Sequence, residues 1–346
     1  MKTAQYSSKK LNVFEGKNAL LQFLDPTKLP PTPLVELPAE LNPFAKEGVR
    51  IYAKLMNLLP LGNVKAVSAF NMLDGAKKRG ELSKTHTIVE YSSGNTIFSA
   101  AAAARSMGVN CIQTLISHEA FRSRIDMLRF LGIEVLIHQE PVFPKRFDKR
   151  SGIEKAIRLG SRKGYFCLRQ YENPDNPNAH MRVTGPQIWN QMNEDVSIFC
   201  AGIGTTGTIA GTSKYLKKRN KNIFTLGVAR RLDSPVPGVR SIPRLELIRY
   251  DWKPHVDAIE EVSMRDSYTQ SLVLSRQGIL VGPSSGFALQ GLMQFLRKAK
   301  RTKKLEQYRN KKGEIRAVFV CCDGPFQYLP EYFQYVDKKY FPKVKS

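Results

Sequence analysis

The sequence predicts an α/β protein built from two domains, each a parallel β-sheet covered by helices on both faces. From about residue 50 onwards, short apolar or β-branched runs alternate with longer segments of helical period. The alternation occurs in two successive blocks, and several of the helical segments end at a glycine. Because alternating strands and helices form parallel sheets between helical layers, we expect two three-layer αβα domains with a cleft between them.

The first block contains five predicted strands joined by helices. Its first helix has Val64, Val67, Phe70 and Leu73 at intervals of three residues and ends at Gly80. The strands are predicted at residues 49–55, 86–91, 110–116, 133–138 and 165–171.

The second block repeats the pattern after a helix predicted around residues 183–192. Helices are expected from Thr208, across residues 265–278 and from Ser285. Strands are predicted at residues 196–202, 224–229, 279–282 and 316–322. The proline-rich segment DPTKLPPTPLVELP, which precedes both blocks, is expected to be an extended arm.

The chain is strongly basic, with 54 Lys and Arg against 30 Asp and Glu and a net charge of +24. Such an excess is compatible with nucleic-acid binding. The basic runs KKRNKN, RKAKRTKK, RNKKGE and KKYFPKVKS are, however, spread along the chain at predicted helix ends and loops. A solvated basic surface is the commoner cause of such runs. Specific nucleic-acid binding is therefore not expected, and a basic nucleic-acid-binding protein is kept as the alternative from another functional class.

The cysteines and the start of the chain indicate a cytoplasmic protein. The five cysteines have no zinc-site spacing, and four lie in apolar runs typical of reduced core thiols. The N-terminal MKTAQYSSKK has no apolar run after its charges, so no secretory signal is expected. The small-apolar run SAAAAA stops at Arg105, far short of a membrane span. We expect no metal site and no membrane span.

Three loops that follow strands carry glycine and polar residues, at the sheet edge where ligands bind. In CAGIGTTGTIAG, Gly204 and Gly207 let the backbone approach a ligand, and the next helix N-terminus favours an anion. EYSSGNTIF offers hydroxyl and N–H donors suited to a carboxylate. LVGPSSGFALQ places Ser284 and Ser285 before another helix. Taken singly, each loop is also compatible with ordinary helix capping.

A fourth loop, LPLGNVK, carries Lys65 at the start of the first helix of the first block. The helix dipole disfavours an ammonium in the first turn and lowers its pKa, which suits an amine nucleophile or base. The alternative is an exposed lysine, the usual state of this residue type.

Together these loops resemble the fold-type II pyridoxal-phosphate enzymes, in the branch of cysteine synthase and cystathionine β-synthase. IYAKLMNLLPLGNVKAVSAFNML is similar to the segment around the Schiff-base lysine, SSGNT to the substrate-carboxylate loop and GIGTTGTIAG to the phosphate cup. QYENPDNPNAHMRVTGPQIW and GPSSG resemble two further family motifs. The five matches keep the family order over about residues 30–325.

The resemblance implies a tryptophan synthase β-like fold with pyridoxal 5′-phosphate in the cleft between the domains. A smaller, mobile domain is expected at residues 55–172, and a larger one at residues 1–54 plus 173–346. Lys65 is the implied Schiff-base lysine and the base and acid at Cα. Ser284 would face the pyridine nitrogen, where a serine favours direct β-elimination through an α-aminoacrylate.

The remaining implied roles are shared among the other loop residues. Asn95 would bind the 3′-oxygen of the cofactor. The phosphate would be held by Gly204, Thr205, Thr206, Gly207 and Thr208. The substrate carboxylate would be held by Ser92, Ser93, Thr96 and Gln170.

The implied reaction is β-replacement on an activated L-serine, either O-acetylserine or O-phosphoserine, to give cysteine with sulfide or another sulfur donor. The resemblance also suggests a homodimer. The alternatives are a cystathionine- or diaminopropionate-type synthase and a serine or threonine dehydratase. SSGNT favours a synthase, because dehydratases usually carry a Gly-Asn-His-type loop at this position.

The sequence departs from the family pattern in four places. Ala66 and Val67 replace the usual Asp-Arg, and Ile97 and Thr206 each replace a glycine. Ile97 is expected to crowd the substrate loop. The segment PVPGVRSIPRLELI differs from that of O-acetylserine users, and Arg240 within it is expected to receive a phosphorylated or otherwise anionic substrate.

Overall fold

The computed structural model describes residues 12–139, 141, 144–234 and 236–344. Within these residues the chain forms ten strands in two sheets. They are β1 Leu34–Glu36, β2 Val49–Leu55, β3 Thr87–Tyr91, β4 Cys111–Ser117, β5 Glu134–His138, β6 Tyr165–Cys167, β7 Ile198–Gly202, β8 Phe224–Arg230, β9 Ala258–Val262 and β10 Ile315–Cys321. The N-terminal MKTAQYSSKK, where no signal is expected, lies outside the described residues.

Eleven α-helices connect or flank these strands in the described part of the chain. They are α1 Ala19–Leu24, α2 Lys65–Lys78, α3 Asn95–Ser106, α4 Arg122–Phe130, α5 Gly152–Gly160, α6 Asp175–Arg182, α7 Thr184–Gln191, α8 Gly207–Arg219, α9 Met264–Arg276, α10 Pro283–Arg301 and α11 Leu329–Tyr335. None of the described helices is both long and apolar enough to cross a membrane.

The larger sheet has the strand order β1-β2-β10-β7-β8-β9. All neighbours are parallel except β1, which pairs antiparallel with β2. Along β10, Phe319 and Cys321 face the apolar core under α9 and α10, whereas Val318 and Val320 face the core under α7 and α8. Burial on both faces explains why the predicted strand 316–322 is almost continuously apolar.

The smaller sheet has the order β5-β4-β3-β6, with every pair parallel. Its main core lies under α2 and α3 and is rich in alanine from the second of these helices. The two sheets, each with its helices, form two three-layer αβα units, which confirms the predicted fold class. Loops that follow strands of both sheets line one cleft, as expected for parallel sheets.

The predicted strand at residues 279–282 is wrong. This apolar run is irregular and leads into α10. Side chains satisfy backbone groups that a neighbouring strand would otherwise bind: Val281 N–H donates to the Ser275 hydroxyl at 3.2 Å, and Leu280 C=O accepts from the Asn57 amide at 3.0 Å. The predicted strand 165–171 is also shorter, because Arg169 has a positive φ of 57°, which a strand does not accommodate.

The arm is extended only in its later part, where residues 34–36 form β1. Its first residues form a turn, in which the Lys28 N–H donates to the Asp25 carbonyl at 3.0 Å. The domain boundaries at residues 55 and 172 stay a prediction. The first turn of α2 contributes Ala66 and Val67 to a core of the larger sheet, whereas Ala69 and Phe70 pack in the core of the smaller one. This helix therefore joins the two halves of the molecule.

Candidate active site

Lys65 is the first residue of α2 and lines the cleft between the two sheets. Its backbone N–H donates to the Asn63 side-chain oxygen at 2.9 Å. The preceding N–H, of Val64, donates to the carbonyl of Cys322 at 2.7 Å, and Asn63 pairs with Asp323 in an isolated bridge. These contacts fix the start of α2 to the end of β10 and so hold Lys65 in the cleft.

The surroundings of Lys65 favour its neutral amine. Burial is the main cause that lowers its pKa, and the charge of Arg240 acts in the same direction. The thiol of Cys322 and the carboxyl group of Asp323 act against this shift. The sequence suggested a helix-dipole cause for a lowered pKa, and the structure adds burial as a second cause. A neutral amine at this position has the lone pair that nucleophilic attack requires.

The SSGNT loop lies opposite Lys65 and contributes Ser92, Ser93, Asn95 and Thr96 to the same cleft. The Thr96 hydroxyl donates to the Gln170 side-chain oxygen at 2.8 Å. The Gln170 amide in turn donates to the Tyr91 carbonyl at 2.9 Å. Two predicted substrate-binding residues that are distant in sequence are therefore bonded to each other at the cleft wall.

Ile97 does not crowd this loop, so that expectation is wrong. Its side chain is fully buried and packs in the core of the smaller domain with Ile88 and Ala100. The reason is the helical period, because α3 starts at Asn95 and turns the third residue of the helix away from the cleft.

The loop before α8 forms a cup whose glycines have no space for a side chain. A Cβ on Gly204 would lie 2.4 Å from the carbonyl oxygen of Gly238, and one on Gly207 would lie 2.0 Å from the Asn176 side-chain oxygen. Gly204 and Thr205 line the cleft, whereas Gly207 and Thr208 begin the first turn of α8 behind it.

Thr206 has φ +64°, in the left-handed region that favours glycine. The family pattern has a glycine here, so the structure keeps the glycine conformation with a threonine. The Thr206 hydroxyl is buried and has no hydrogen-bond partner among the described residues. A buried, unsatisfied hydroxyl beside a helix N-terminus is a donor still available for an anionic ligand.

The groups behind the cup are neutral. The Thr208 hydroxyl lies 3.2 Å from His180 Nε2, and Thr184 lies 2.9 Å from His180 Nδ1. Burial, and secondarily the charge of Lys65, lower the pKa of His180 to about 3. The Thr205 hydroxyl accepts from the Asn176 amide at 3.0 Å. The cup therefore presents donors and contains no carboxylate that would repel an anion.

Asp323, which the sequence analysis missed, connects two predicted cofactor-binding residues. It is 1% exposed. One carboxyl oxygen accepts from the Asn95 amide at 2.6 Å and the Tyr328 hydroxyl at 2.5 Å. The other lies 3.4 Å from the hydroxyl of Ser284, which is buried behind the cleft wall. An acidic residue directly after the apolar run 316–322 was the signal that could have revealed it.

Three arginines line one side of the cleft: Arg230, Arg240 and Arg244. Arg240 donates to the Tyr171 hydroxyl at 2.5 Å and stacks on that ring with its guanidinium carbon 4.7 Å from the centroid. Burial first, and then the charges of Arg244 and Arg240, lower the pKa of Arg230. The arginines are thus close enough to interact, and their combined field favours an anion.

Residues 27–309 match the family model described as pyridoxal-phosphate dependent enzyme. The chain belongs to this family. It is 31% identical to cysteine synthase B of Escherichia coli (strain K12), over 76% of this chain and 84% of that one. It is 29% identical to the O-acetylserine dependent cystathionine beta-synthase of Bacillus subtilis (strain 168), over 78% and 87%. The resemblance to the cysteine synthase branch is thereby confirmed.

A solved structure agrees with the fold of this pyridoxal-phosphate-dependent enzyme. The crystal structure of a hydrogen sulfide-producing enzyme from Fusobacterium nucleatum has a TM-score of 0.74 at 25% identity, and the match covers 90% of this chain and 99% of that one.

The cleft fits the pyridoxal phosphate that this family uses. The cup has glycines without side-chain space and an unsatisfied Thr206 hydroxyl, which suit a phosphate. Burial lowers the pKa of the Lys65 amine, which suits bonding to an aldehyde. The Asn95 amide has a second hydrogen available, because only one is needed for its bond to Asp323.

Glu90 is a buried carboxyl group on β3 beside the substrate loop, 2% exposed. Burial raises its pKa to about 7, against hydrogen bonds from the Tyr91 backbone and Gln170. The folded protein holds this proton more tightly than the unfolded chain does. The free energy of unfolding therefore falls as the pH rises from about 4.5 to 7, and it levels off above about pH 7.

In wild type the free energy of unfolding should be higher at pH 5 than at pH 8. Glu90→Gln should make this difference smaller by about 3 kcal/mol. Urea unfolding at both pH values, with saturating cofactor, measures this difference. The matched control is Glu40→Gln, at an exposed position, which should leave the pH dependence unchanged. An unaltered pH dependence in Glu90→Gln would show that Glu90 is already ionised at low pH.

Proposed function

We propose that the protein synthesises cysteine by β-replacement on an activated L-serine, with sulfide or another sulfur donor as nucleophile. The observation that carries the proposal is a single cavity of about 250 Å³ lined by Lys65, the SSGNT loop and the start of the phosphate cup. A nucleophilic amine, a carboxylate-binding loop and an anion-binding helix N-terminus are the parts that this reaction needs. The name of the Escherichia coli relative, cysteine synthase B, supports the same reaction.

Each part of the cleft has a proposed task. Bound pyridoxal phosphate supplies an electron sink that labilises the Cα proton and the leaving group on Cβ. The Lys65 amine accepts the Cα proton and later returns it. Ser92, Ser93, Thr96 and Gln170 hold the substrate carboxylate and orient Cα towards that amine.

The cup and two buried groups hold the cofactor in this proposal. The glycines and threonines of residues 204–208 bind the phosphate at the N-terminus of α8. Asn95 binds the 3′-oxygen and Ser284 faces the ring nitrogen. Because the SSGNT loop belongs to the smaller domain and the cup to the larger one, movement of residues 55–172 would close the cleft around the substrate.

The purified protein loaded with pyridoxal phosphate should form cysteine from sulfide and either O-acetylserine or O-phosphoserine. Cysteine is measured by a thiol assay after sulfide removal. Release of pyruvate or 2-oxobutyrate from plain serine or threonine, without thiol formation, would instead establish a dehydratase. Cystathionine formation from homocysteine, with no turnover of sulfide, would establish the cystathionine-type synthase.

The arginine cluster supports an anionic leaving group. Arg230, Arg240 and Arg244 line the cleft, and Tyr171 holds the Arg240 side chain in one orientation through a hydrogen bond and ring stacking. A phosphate ester brings a dianion that a guanidinium binds with two parallel hydrogen bonds, whereas an acetyl ester offers one neutral carbonyl.

Arg240→Ala should therefore lower kcat/KM for O-phosphoserine by about 10- to 100-fold, the loss of a charged hydrogen bond. The value for O-acetylserine should change less than threefold. Arg162→Ala, at an exposed arginine on the smaller domain, controls for the loss of one positive charge. An equal loss with both substrates would assign Arg240 a structural role and leave cysteine synthesis itself intact.

We also propose a homodimer, as the resemblance implies, and a cytoplasmic location, as the cysteine pattern indicates. All five cysteines are free thiols, which agrees with a reducing compartment.

A further inference from the structure

Three of the four basic runs meet at one edge of the larger sheet, although they are far apart in sequence. The runs within residues 217–222 and 297–304 close α8 and α10, and residues 309–314 precede β10. Helices α8 and α10 cover opposite faces of the sheet, and each leads into a parallel strand. Both helices therefore end on the side of the sheet where the strands begin, which we call its amino edge. The cleft lies at the opposite, carboxyl edge.

An aromatic cluster holds the three runs together. Phe295 of α10 stacks on Phe224 of β8 with ring centroids 4.9 Å apart. Tyr308, from the segment between α10 and β10, contacts these two rings edge-on at 5.3 Å and 5.1 Å. Each ring lies within a few residues of a different basic run, so the relative positions of the runs are set by packing.

The cations around this cluster exceed the available carboxylates. Five of the cations each form an ion pair: Lys217, Lys298, Lys300, Arg309 and Arg316. Nine further cations are exposed and form no ion pair with another described residue. They are Lys218, Arg219, Lys221, Arg297, Arg301, Lys303, Lys304, Lys311 and Lys312.

Helix dipoles do not account for the whole set. Lys218 and Arg219 lie in the last turn of α8, and Arg301 ends α10, where a cation is favourable. Lys303, Lys304, Lys311 and Lys312 lie outside both helices. Like charges held close together cost free energy unless an anion offsets them.

A groove of about 840 Å³ lies between two of these segments, the end of the 217–222 run and residues 307–312. Its charged lining consists of Arg309, Lys311, Lys312 and Arg316 together with Glu194 and Asp195, and Asp195 is paired with Arg316. Side-chain amides, which donate hydrogen bonds to phosphate oxygens without adding charge, also line it: Asn193, Asn220, Asn222, Gln307 and Asn310. The groove therefore combines long-range electrostatic attraction for an anion with hydrogen-bond donors that act at short range.

The shape of this edge favours one class of polyanion. Among the described residues, none of the exposed large apolar side chains lies within residues 193–224 or 295–316. A membrane-binding surface needs apolar anchors beside its cations, and a single-strand binder needs exposed rings for base stacking. A surface in which cations and amides predominate, without exposed apolar anchors, suits the phosphate backbone of a duplex.

We propose that this basic edge, residues 217–222, 297–304 and 307–312, binds double-stranded nucleic acid through its phosphate backbone, independently of base sequence. Such binding does not conflict with the expectation that specific nucleic-acid recognition is absent. It also gives a function to much of the net charge of +24, because these cations lie outside the catalytic cleft.

The test measures binding of the holoenzyme to a fluorescein-labelled 20-bp duplex DNA by anisotropy over a range of salt concentrations. Replacing Lys303, Lys304, Lys311 and Lys312 with glutamine should weaken binding at least tenfold near 100 mM salt, and should reduce the slope of log K against log salt by up to about 3.6. The matched control replaces Lys77, Lys84, Arg162 and Lys163, which are exposed on the smaller domain, and should bind as wild type does.

A second variant, Lys218→Gln with Lys221→Gln, repeats the test at the C-terminal end of α8 and the turn after it if the first variant folds poorly. Equal weakening in the control variant would overturn the proposed location. Binding to phosphatidylserine vesicles without binding to the duplex, or equal competition by polyglutamate, would overturn the choice of nucleic acid. Cofactor absorption and cysteine formation should persist in both variants, so this result is independent of the proposed function.

Discussion

Lys65→Ala should abolish covalent attachment of pyridoxal phosphate. It should also lower the rate of cysteine formation by about 10²–10⁴-fold or more, since that range is the usual contribution of a general acid–base group. The expectation rests on the burial that lowers the pKa of this amine and on its position in the cleft. Borohydride reduction followed by mass spectrometry measures the attachment. Wild type should gain the mass of the reduced cofactor on the peptide containing Lys65, and the variant should not.

Lys77 provides the matched control for this result. It lies on the same helix, α2, but is exposed and outside the cleft lining. Lys77→Ala should keep both the covalent attachment and the rate. Lys65→Arg keeps the positive charge but not a neutral amine, so it should fail as Lys65→Ala does. Turnover that persists in Lys65→Ala would assign the base to another residue.

Local patterns were sufficient to predict the fold and most of the cleft. Strand and helix periods differ clearly in this chain, and in parallel sheets the loops after strands converge at one edge. The loops around Lys65, Ser92 and Gly204 could therefore be expected to meet, and the structure brings them to one cavity.

Features that depend on packing at a distance were not predictable in this way. The apolar run 279–282 resembles a strand, yet side chains rather than another strand satisfy its backbone. Ile97 belongs to a loop motif, but the helical turn at Asn95 directs it into the core. The basic runs are spread in sequence, and only the contacts of Phe224, Phe295 and Tyr308 bring them to one edge.

Asp323 shows the same limit at the candidate active site, since two of its four side-chain partners, Asn95 and Ser284, are distant in sequence. Its carboxyl group accepts hydrogen bonds from Asn95, Tyr328 and Gln327, and lies 3.4 Å from the Ser284 hydroxyl. Asn95 begins α3 of the smaller domain, whereas the other partners follow β9 or β10 in the larger one. This carboxyl group therefore couples the two halves of the cleft.

A buried cation is part of the same cluster. Arg124 is 5% exposed, and its guanidinium carbon lies 3.9 Å from the centroid of the Tyr328 ring. The charge of Asp323 helps to raise the pKa of Arg124, against the effect of burial. Removing the carboxyl group takes a negative charge away from this buried cation and leaves the donors of Asn95 and Tyr328 without their acceptor.

Asp323→Ala should therefore reduce the free energy of unfolding by about 3–5 kcal/mol, the cost of leaving a buried charge uncompensated. Asp323→Asn should cost less, because its oxygen can still accept from Asn95 and Tyr328 while its nitrogen faces Ser284. Urea unfolding of both variants at pH 7.5, with and without added cofactor, measures these costs.

The Asn variant separates a positioning role from a structural one. If Asp323 orients Asn95 and Ser284 towards the cofactor, Asp323→Asn should weaken cofactor binding and shift the visible absorption band of the bound cofactor while the protein remains folded. Gln327→Ala removes another partner of the same carboxyl group without touching Asn95 or Ser284, and should leave the band unchanged. A destabilised Asp323→Asn with a wild-type band and cofactor Kd would restrict this residue to holding the two halves of the molecule together.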